Sequence, residues 1–265
     1  RSRTGIQERR IADPDTAASD LAVDAGRKAL ERAGVRAEDL SMIVVATITP
    51  DMAFPATACI VQDRLGAVQA GAFDLSAGCS GFVYALDVAA SLVKGGREKV
   101  LVIGVDLLSR ITDYTDRSTC VLFGDGAAAA VVGPVASGYG ITASELGSDG
   151  AGGRHLYLPA GGSRKPASHE TVDAKEHYLR MAGNDVFKFA VRIMGDSTQR
   201  VLEKAGLSKD DVRWFVPHQA NVRIIQASAN RLGIPEDRLY INVQRYGNTS
   251  AASIGLALAE LDENG

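Results

Sequence analysis

Three side chains in this sequence have the chemistry to activate an acyl group together: the Cys79 thiol, the His218 imidazole and the Asn248 carboxamide. Cys79 lies in a Gly-Cys-Ser-Gly turn between a short apolar strand and an apolar helix. A thiol at a helix start faces unpaired N–H groups and the positive end of the helix dipole, which is expected to lower its pKa. His218 and Asn248 can each offer an N–H group to one oxygen, as an enolate requires. The set predicts a nucleophilic thiolate beside a carbanion-stabilising pair.

Taken singly, each residue also has a structural interpretation. A lone cysteine is more often a small buried apolar residue, and the other two cysteines, Cys59 and Cys120, have no comparable turn around them. His218 alone fits a hydrogen-bonded structural histidine, and Asn248 alone fits a helix cap or turn residue. The Gly-Cys-Ser-Gly turn and the combination of the three side chains favour the catalytic interpretation. A redox-sensing role for Cys79 is a weaker alternative, since no second cysteine lies near it in sequence.

Ala-rich helical segments alternate with short β-branched runs, which predicts a layered α/β fold with strands buried on both faces. The predicted helices are 17–33, 56–65, 80–94, 184–205 and 221–232. The predicted strands are 42–46, 72–75, 100–105, 127–132 and 214–216, with a further short strand around Ile241. The glycine-rich stretch 147–168 predicts an exposed loop.

An internal repeat divides the chain into two similar units. The segment 30–46 recurs 172 positions later as 202–218, and a helix ending in Arg-Leu-Gly follows each copy. The order of elements after each copy also agrees, which predicts two α/β halves, 1–138 and 139–265, related by a pseudo-twofold axis. Ligand sites of open α/β sheets lie outside the carboxyl ends of strands, so we expect Cys79 of the first half to meet His218 and Asn248 of the second.

Composition narrows the possible functions. A net charge of −3 and a pI near 5.9 argue against a nucleic-acid-binding surface. No stretch approaches the roughly 20 apolar residues that span a bilayer, and the charged N-terminal residues have no apolar segment behind them. Three widely spaced cysteines indicate free thiols in a reducing compartment. The sequence therefore predicts a cytoplasmic protein without a membrane segment.

Eight motifs are distributed along the whole chain: RTGIQERR (3–10), AFPATAC (53–59), FDLSAGCSGF (73–82), TDRST (115–119), FGDGAAA (123–129), MAGNDVFKFA (181–190), VPHQANVRI (216–224) and GNTSAAS (247–253). They resemble the motifs of the β-ketoacyl-(acyl carrier protein) synthase III family of the thiolase superfamily, and the resemblance runs from end to end. The resemblance implies a thiolase-like fold with two pseudo-twofold-related α/β halves in five layers. It also implies ping-pong catalysis, in which acyl-CoA acylates Cys79 and malonyl-(acyl carrier protein) then decarboxylates and attacks. His218 and Asn248 would promote the decarboxylation and stabilise the enolate, without a metal or organic cofactor.

The same resemblance assigns binding roles by position. It places Arg3 and Arg117 near the CoA nucleotide, and two guanidinium groups suit phosphate and adenine. It implies a homodimer in addition. The remaining residues it implicates are Gly183, Asn184 and Asn221 along the pantetheine channel, Arg223 in docking the carrier protein, and Phe54 in closing the partner's acyl pocket.

The sequence differs from the family pattern at both ends, where relatives have an N-terminal strand and a glycine-rich C-terminal strand. We expect from this that the segment is part of a longer protein. Two alternatives remain open: a related Cys-His-Asn synthase of polyketide or quinolone type, which would accept malonyl-CoA or another acceptor, and a non-catalytic partner with the same fold. The shape of the acyl pocket selects among acetyl, branched four- or five-carbon and long acyl primers.

Overall fold

The computed structural model describes residues 4–264, so Arg3 lies outside the described residues. The helices are α1 (Ala18–Ala33), α2 (Thr57–Leu65), α3 (Gly81–Lys94), α4 (His169–Asp173), α5 (Gly183–Ala205), α6 (Val222–Leu232), α7 (Val243–Tyr246) and α8 (Ala252–Asn264). The strands are β1 (Met42–Ala46), β2 (Gly71–Leu75), β3 (Val100–Leu107), β4 (Asp125–Val132), β5 (Leu156–Tyr157) and β6 (Arg180–Met181). Among these residues, no helix combines the length and apolarity needed to cross a bilayer.

One four-stranded sheet in the order β2-β1-β3-β4 organises the first half. β1 pairs in parallel with β2 and β3, with Val44 opposite Phe73 and Val102, whereas β4 runs antiparallel to β3. All eight residues of β3 are buried, as the uninterrupted apolar run predicted. The carboxyl ends of β1, β2 and β3 therefore meet at one edge, and the segment after β2 carries Cys79.

Helices cover both faces of this sheet because side chains alternate along each strand. Ile43 and Val45 of β1 join a core cluster with α1 and α2 on one face. Val44 and Ala46 point the other way and pack with Phe82 of α3. α8 contacts the same face of the sheet beside α3, so the starts of these two helices lie next to each other.

The predicted helices and most predicted strands form with boundaries within two residues, but the predicted strands 214–216 and around Ile241 are wrong. Only an isolated parallel bridge between Phe215 and Leu239 appears there. Proline has no N–H group to donate, so Pro217 ends the ladder directly after this bridge. Ile241 leads instead into the short helix α7, which the sequence did not predict.

The bridge has a counterpart in the first half. Phe215 is the repeat equivalent of Ile43, and Leu239 stands six residues after its Gly233 just as Ala72 stands six residues after Gly66. Ile43 and Ala72 are paired in β1 and β2. The two repeat copies thus bring equivalent residues together. The domain boundary at 138/139 stays a prediction.

Glu260 of α8 accepts hydrogen bonds from α7 and from the residues before it. Its carboxylate accepts hydrogen bonds from Asn242 Nδ2 at 2.9 Å, Arg245 Nη2 at 2.6 Å and the Tyr240 hydroxyl at 3.1 Å, and another from the Tyr246 hydroxyl. Desolvation raises the pKa of Glu260, but the hydrogen bonds from Tyr246 and Asn242 and the Arg245 charge outweigh it, and the net pKa is lowered.

We expect Glu260→Gln to lower the free energy of unfolding at pH 7 by about 1–3 kcal/mol, because hydrogen bonds to a charged group are lost. A lowered folded pKa means that this contribution is complete above the unfolded pKa of about 4.3 and disappears as the pH falls through the folded pKa. Urea unfolding at a series of pH values below 7 should therefore show a wild-type advantage that is largest at pH 7 and shrinks as the pH falls.

Glu263→Gln on the same helix is the matched control. The Glu263 side chain is 61% exposed and forms an ion pair with Arg32 at 3.2 Å, so the change should cost less than about 1 kcal/mol. Equal losses in the two variants at pH 7 would contradict the role assigned to Glu260.

Candidate active site

Cys79 lies where β2 leads into α3. After β2 the chain makes a single 3₁₀ turn, Gly78–Ser80, before α3 begins at Gly81. Gly78 has a φ of +55°, a left-handed conformation that glycine adopts without steric cost. The turn places the thiol at the start of the helix, as expected from the sequence.

The expectation that Cys79 has a lowered pKa is wrong. Burial raises the pKa of the thiol to about 11, the Ser250 hydroxyl lowers it in part, and the negative charge of Asp106 raises it further. A thiolate that is partly removed from water loses more solvation free energy here than the helix start returns. The resting nucleophile at neutral pH is therefore the thiol.

The turn before α8 packs directly against the strand ends and the start of α3. A Cβ at Gly81 would lie 2.9 Å from Cβ of Ala46 and 3.3 Å from Cβ of Ala251. A Cβ at Gly104 of β3 would lie 2.5 Å from the carbonyl oxygen of Ala251. Only glycine permits this close approach, which brings the 248–253 segment of the second half against the nucleophile's turn.

Asn248 occupies this segment with its amide held in one orientation. The backbone N–H of Asn248 donates to the carbonyl of Leu122 at 2.9 Å, and its carbonyl accepts from the N–H of Gly124 at 3.0 Å. The side-chain Oδ1 accepts the N–H of Ser250 at 2.9 Å. Because Oδ1 is engaged, the NH₂ group of this buried amide is oriented as a donor.

His218 is held by Ser253 of α8. The distance from His218 Nδ1 to Ser253 Oγ is 2.7 Å, and the same oxygen accepts the N–H of Gln219 at 3.4 Å. We assign His218 the tautomer with its proton on Nε2, in which the Ser253 hydroxyl accepts the Gln219 N–H and donates its own proton to Nδ1. Burial lowers the pKa of His218 to about 4, so the ring is a neutral Nε2–H donor at pH 7.

Gln219, the next residue in the chain, fixes the backbone beside His218 through its side-chain hydrogen bonds. Its side-chain Nε2 donates to the carbonyls of Pro217 and Tyr240 at 2.9 and 3.1 Å, and its Oε1 accepts the N–H of Asn242 at 2.9 Å. These bonds engage both ends of a fully buried amide, so Gln219 is structural.

The 248–253 segment thus touches all three predicted catalytic side chains. Asn248 belongs to it, Ser253 holds His218, and the Ser250 hydroxyl acts on Cys79. Asp106, Ser250 and Ser253 were not identified as site residues from the sequence. One signal in the sequence could have identified Asp106, because it is the acidic residue of an otherwise apolar strand. A carboxylate in a buried strand is costly unless hydrogen bonds compensate it, so it indicates a specific role.

The predicted binding residues lie at the surface. Arg117 is exposed in a turn held by Asp116, whose carboxylate accepts the N–H of Ser118 at 2.9 Å. Asn221 caps α6 by accepting the N–H of Arg223 at 2.9 Å, and Arg223 is exposed in the first turn of that helix. The others are Gly183 and Asn184, both exposed at the start of α5, and Phe54, 87% exposed before Pro55.

No group of three or more His, Cys, Asp or Glu side chains suited to a metal ion occurs between residues 4 and 264. The donors that converge near Cys79 are N–H and O–H groups, which suit a developing oxyanion more than a cation.

Comparison with known proteins identifies the family. A family model described as 3-oxoacyl-[acyl-carrier-protein (ACP)] synthase III matches residues 73–150, and its C-terminal counterpart matches residues 202–265. The β-ketoacyl-[acyl-carrier-protein] synthase III of Caldanaerobacter subterraneus is 58% identical over 265 residues, which are all of this chain and 80% of that protein. The Natranaerobius thermophilus enzyme of the same name is 55% identical, over 99% of this chain and 82% of its own length.

Solved structures agree in fold. The 3-oxoacyl-[acyl-carrier-protein] synthase III of Aquifex aeolicus superimposes with a TM-score of 0.91 at 46% identity, covering all of this chain and 81% of that one. The Thermus thermophilus enzyme gives the same score and coverage at 49% identity. These matches confirm the thiolase-like α/β fold expected from the sequence. The chain belongs to the β-ketoacyl-[acyl-carrier-protein] synthase III family, the condensing acyltransferases that initiate fatty-acid synthesis.

Proposed function

We propose that this chain condenses an acyl-CoA primer with malonyl-(acyl carrier protein) through an acyl thioester on Cys79. The observation that carries this proposal is the convergence of the Cys79 turn with the Asn248 amide and the His218 ring on one short segment. The product is a 3-ketoacyl-(acyl carrier protein).

In the first half-reaction, the Cys79 sulfur attacks the thioester carbon of acyl-CoA. The bond between that carbon and the CoA sulfur breaks, and the thiol proton of Cys79 leaves with CoA as its thiol. The raised pKa of Cys79 makes this proton the main barrier to acylation. The helix start and the Ser250 hydroxyl offset part of it, because both stabilise negative charge on the sulfur.

In the second half-reaction, malonyl-(acyl carrier protein) loses CO₂, and the electron pair of the broken carbon–carbon bond forms an enolate. Nε2–H of His218 and the Asn248 NH₂ group donate to the enolate oxygen. Both donors are neutral and held in place beforehand, so they require little reorganisation as the charge develops. The enolate carbon attacks the acyl carbon on Cys79, and the released thiolate takes up a proton. The step needs no metal or organic cofactor.

The substrate arm would reach this site along α5 and α6. Gly183 and Asn184 at the start of α5 and Asn221 at the start of α6 are the proposed pantetheine contacts, since amides pair with the arm's own amide groups. Exposed Arg117 would bind the CoA phosphates, and Arg3 has the same proposed role. Arg223 would meet the acidic carrier protein.

A homodimer in the cytoplasm is also proposed. β2 is an edge strand of the sheet and carries the partly exposed Phe73, and Met52 and Phe54 are exposed apolar side chains in the segment between β1 and α2. Exposed apolar surface beside an unpaired edge favours burial against a second copy. Phe54 would then close the acyl pocket of the partner.

The acceptor decides between this function and the polyketide alternative, which is supported by a structure described as a priming β-ketosynthase of the R1128 polyketide pathway (39% identity, TM-score 0.87). We expect acetyl-CoA or a short branched acyl-CoA with malonyl-(acyl carrier protein) to give a ketoacyl-carrier product by mass spectrometry. Malonyl-CoA should be the poorer acceptor by at least about tenfold. A preference for malonyl-CoA would favour the polyketide alternative. Repeating the assay with acyl-CoA primers of different chain length and branching would establish which primer the enzyme uses.

A further inference from the structure

Asp106 is a carboxylate without solvent contact at the end of β3. Its side chain is 0% exposed, and the strand around it is otherwise apolar or glycine. Burying an ionisable group in this way is costly unless its hydrogen-bonding capacity is filled. The partners of Asp106 are therefore informative about what it does.

Three donors from the turn after β1 reach one oxygen. Asp106 Oδ1 accepts the N–H of Ile48 at 2.8 Å and the hydroxyls of Thr47 and Thr49 at 3.1 and 3.2 Å. Thr47 Oγ1 already accepts the N–H of Thr49 at 3.0 Å, and Thr49 Oγ1 accepts the N–H of Leu107 at 2.8 Å. Both hydroxyl protons are thus free to point at Asp106, and an ionised carboxylate fits this set of donors.

The other oxygen reaches across to the second half. Asp106 Oδ2 accepts the N–H of Ala251 at 3.2 Å. The preceding residue, Ser250, has a φ of +50°, which is unfavourable for a residue with a side chain. Its buried hydroxyl has no hydrogen bond of regular geometry within residues 4–264, yet it is close enough to lower the pKa of both Cys79 and Asp106. A strained turn of this kind persists only where its surroundings hold it.

We propose that Asp106 is a positioning residue, which holds the turn carrying Asn248 and Ser250 against the strand ends beside Cys79. One carboxylate binds both halves of the site, so the distance between the nucleophile and the enolate-binding amide depends on it. The inference rests on the proposed function for its catalytic consequence, but not for its effect on the thiol.

The charge of Asp106 gives the role a signature that packing alone would not produce. The titratable groups facing the site are Cys79 at the start of α3, Asp106 on β3 and His218, while α8 and the turn before it contribute the Ser250 and Ser253 hydroxyls. Burial raises the pKa of Asp106, and hydrogen bonds from Ile48, Ser250 and Ala251 oppose this shift. The negative charge of an Asp106 carboxylate adds to burial, the larger cause, in raising the pKa of Cys79.

Asp106→Asn tests both the positioning role of Asp106 and the effect of its charge on the Cys79 thiol. The carboxamide can keep the donors from the 47–49 turn, but its NH₂ group would face the N–H of Ala251. We expect kcat for condensation to fall at least about tenfold with KM for acyl-CoA within about threefold, as for a lost transition-state arrangement. Alkylation of Cys79 by iodoacetamide at pH 8, followed on the Cys79 peptide by mass spectrometry, should become at least about threefold faster.

Asp74→Asn is the matched control, because Asp74 is also a carboxylate that accepts two N–H groups, those of Thr57 and Ala58 at 2.8 and 2.7 Å. It should lower stability without changing either readout per folded molecule. If Asp106→Asn does not fold, Ser250→Ala keeps the carboxylate and removes the hydroxyl that lowers the thiol pKa, so alkylation should slow at least about twofold.

Two results would overturn the proposal. One is Asp106→Asn with wild-type alkylation and a kcat reduced only in proportion to the folded fraction. The other is Ser250→Ala with unchanged or faster alkylation. A wild-type protein that makes no condensation product, but whose alkylation responds as described, would refute the proposed function and leave the effect of Asp106 on the thiol standing.

Discussion

Replacing Cys79 with alanine is expected to abolish both the acyl-enzyme and the condensation product. With radiolabelled acetyl-CoA, the wild-type protein should acquire a protein-bound label that hydroxylamine removes, because a thioester is cleaved by that nucleophile. Without the sulfur there is no covalent intermediate, and the condensation rate should fall by at least about 10³-fold. Scintillation counting and peptide mapping measure the label, and mass spectrometry measures the product.

The other cysteines provide matched controls. Cys59 is exposed on α2, with its sulfur 3.8 Å from the carbonyl of Ala72, and Cys120 is half-buried in the turn after Arg117. The groups that act on the Cys79 thiol are Asp106 and Ser250, so Cys59→Ala and Cys120→Ala should be labelled as the wild type is. Equal labelling of a folded Cys79→Ala protein would refute the nucleophile assignment.

Replacing His218 with alanine is expected to separate the two half-reactions. Acylation of Cys79 should persist, because the role proposed for the neutral ring is donation to the enolate of the second half-reaction. Decarboxylation of malonyl-(acyl carrier protein) should fall by about 10²–10³-fold, the usual cost of one missing oxyanion donor. Release of ¹⁴CO₂ and acylation in a single turnover measure the two steps separately.

The pH dependence is a second readout of His218. Burial lowers its pKa to about 4, so the Nε2–H donor is neutral from about pH 5 to 9 and no imidazole titration should appear in the decarboxylation rate across that range. His177→Ala is a suitable control, because that ring lies outside the site, with its Nε2 2.9 Å from Thr171 Oγ1. A His218→Ala protein that decarboxylates normally but cannot be acylated would reverse the assignment.

The local pattern of the sequence was sufficient for much of the fold. The apolar runs of β1 and β3 and the helix after Cys79 form where they were predicted, because burial and periodicity act within each segment. The predicted strand at 214–216 failed because a strand depends on partners elsewhere in the chain, and Pro217 limits the pairing to one bridge. Strands are therefore harder to predict from the local sequence than helices are.

The sequence by itself determined that Cys79 stands at a helix start, and the internal repeat indicated that His218 and Asn248 lie opposite it. Only the tertiary structure decided the state of these groups. Cys79 has a raised pKa because the fold partly buries its thiol and Asp106 of β3 adds a negative charge. His218 Nδ1 lies 2.7 Å from the hydroxyl of Ser253 on α8, which leaves Nε2 for the proposed donation. Solvation and hydrogen-bond partners are properties of packed surfaces, and the sequence around a residue does not contain them.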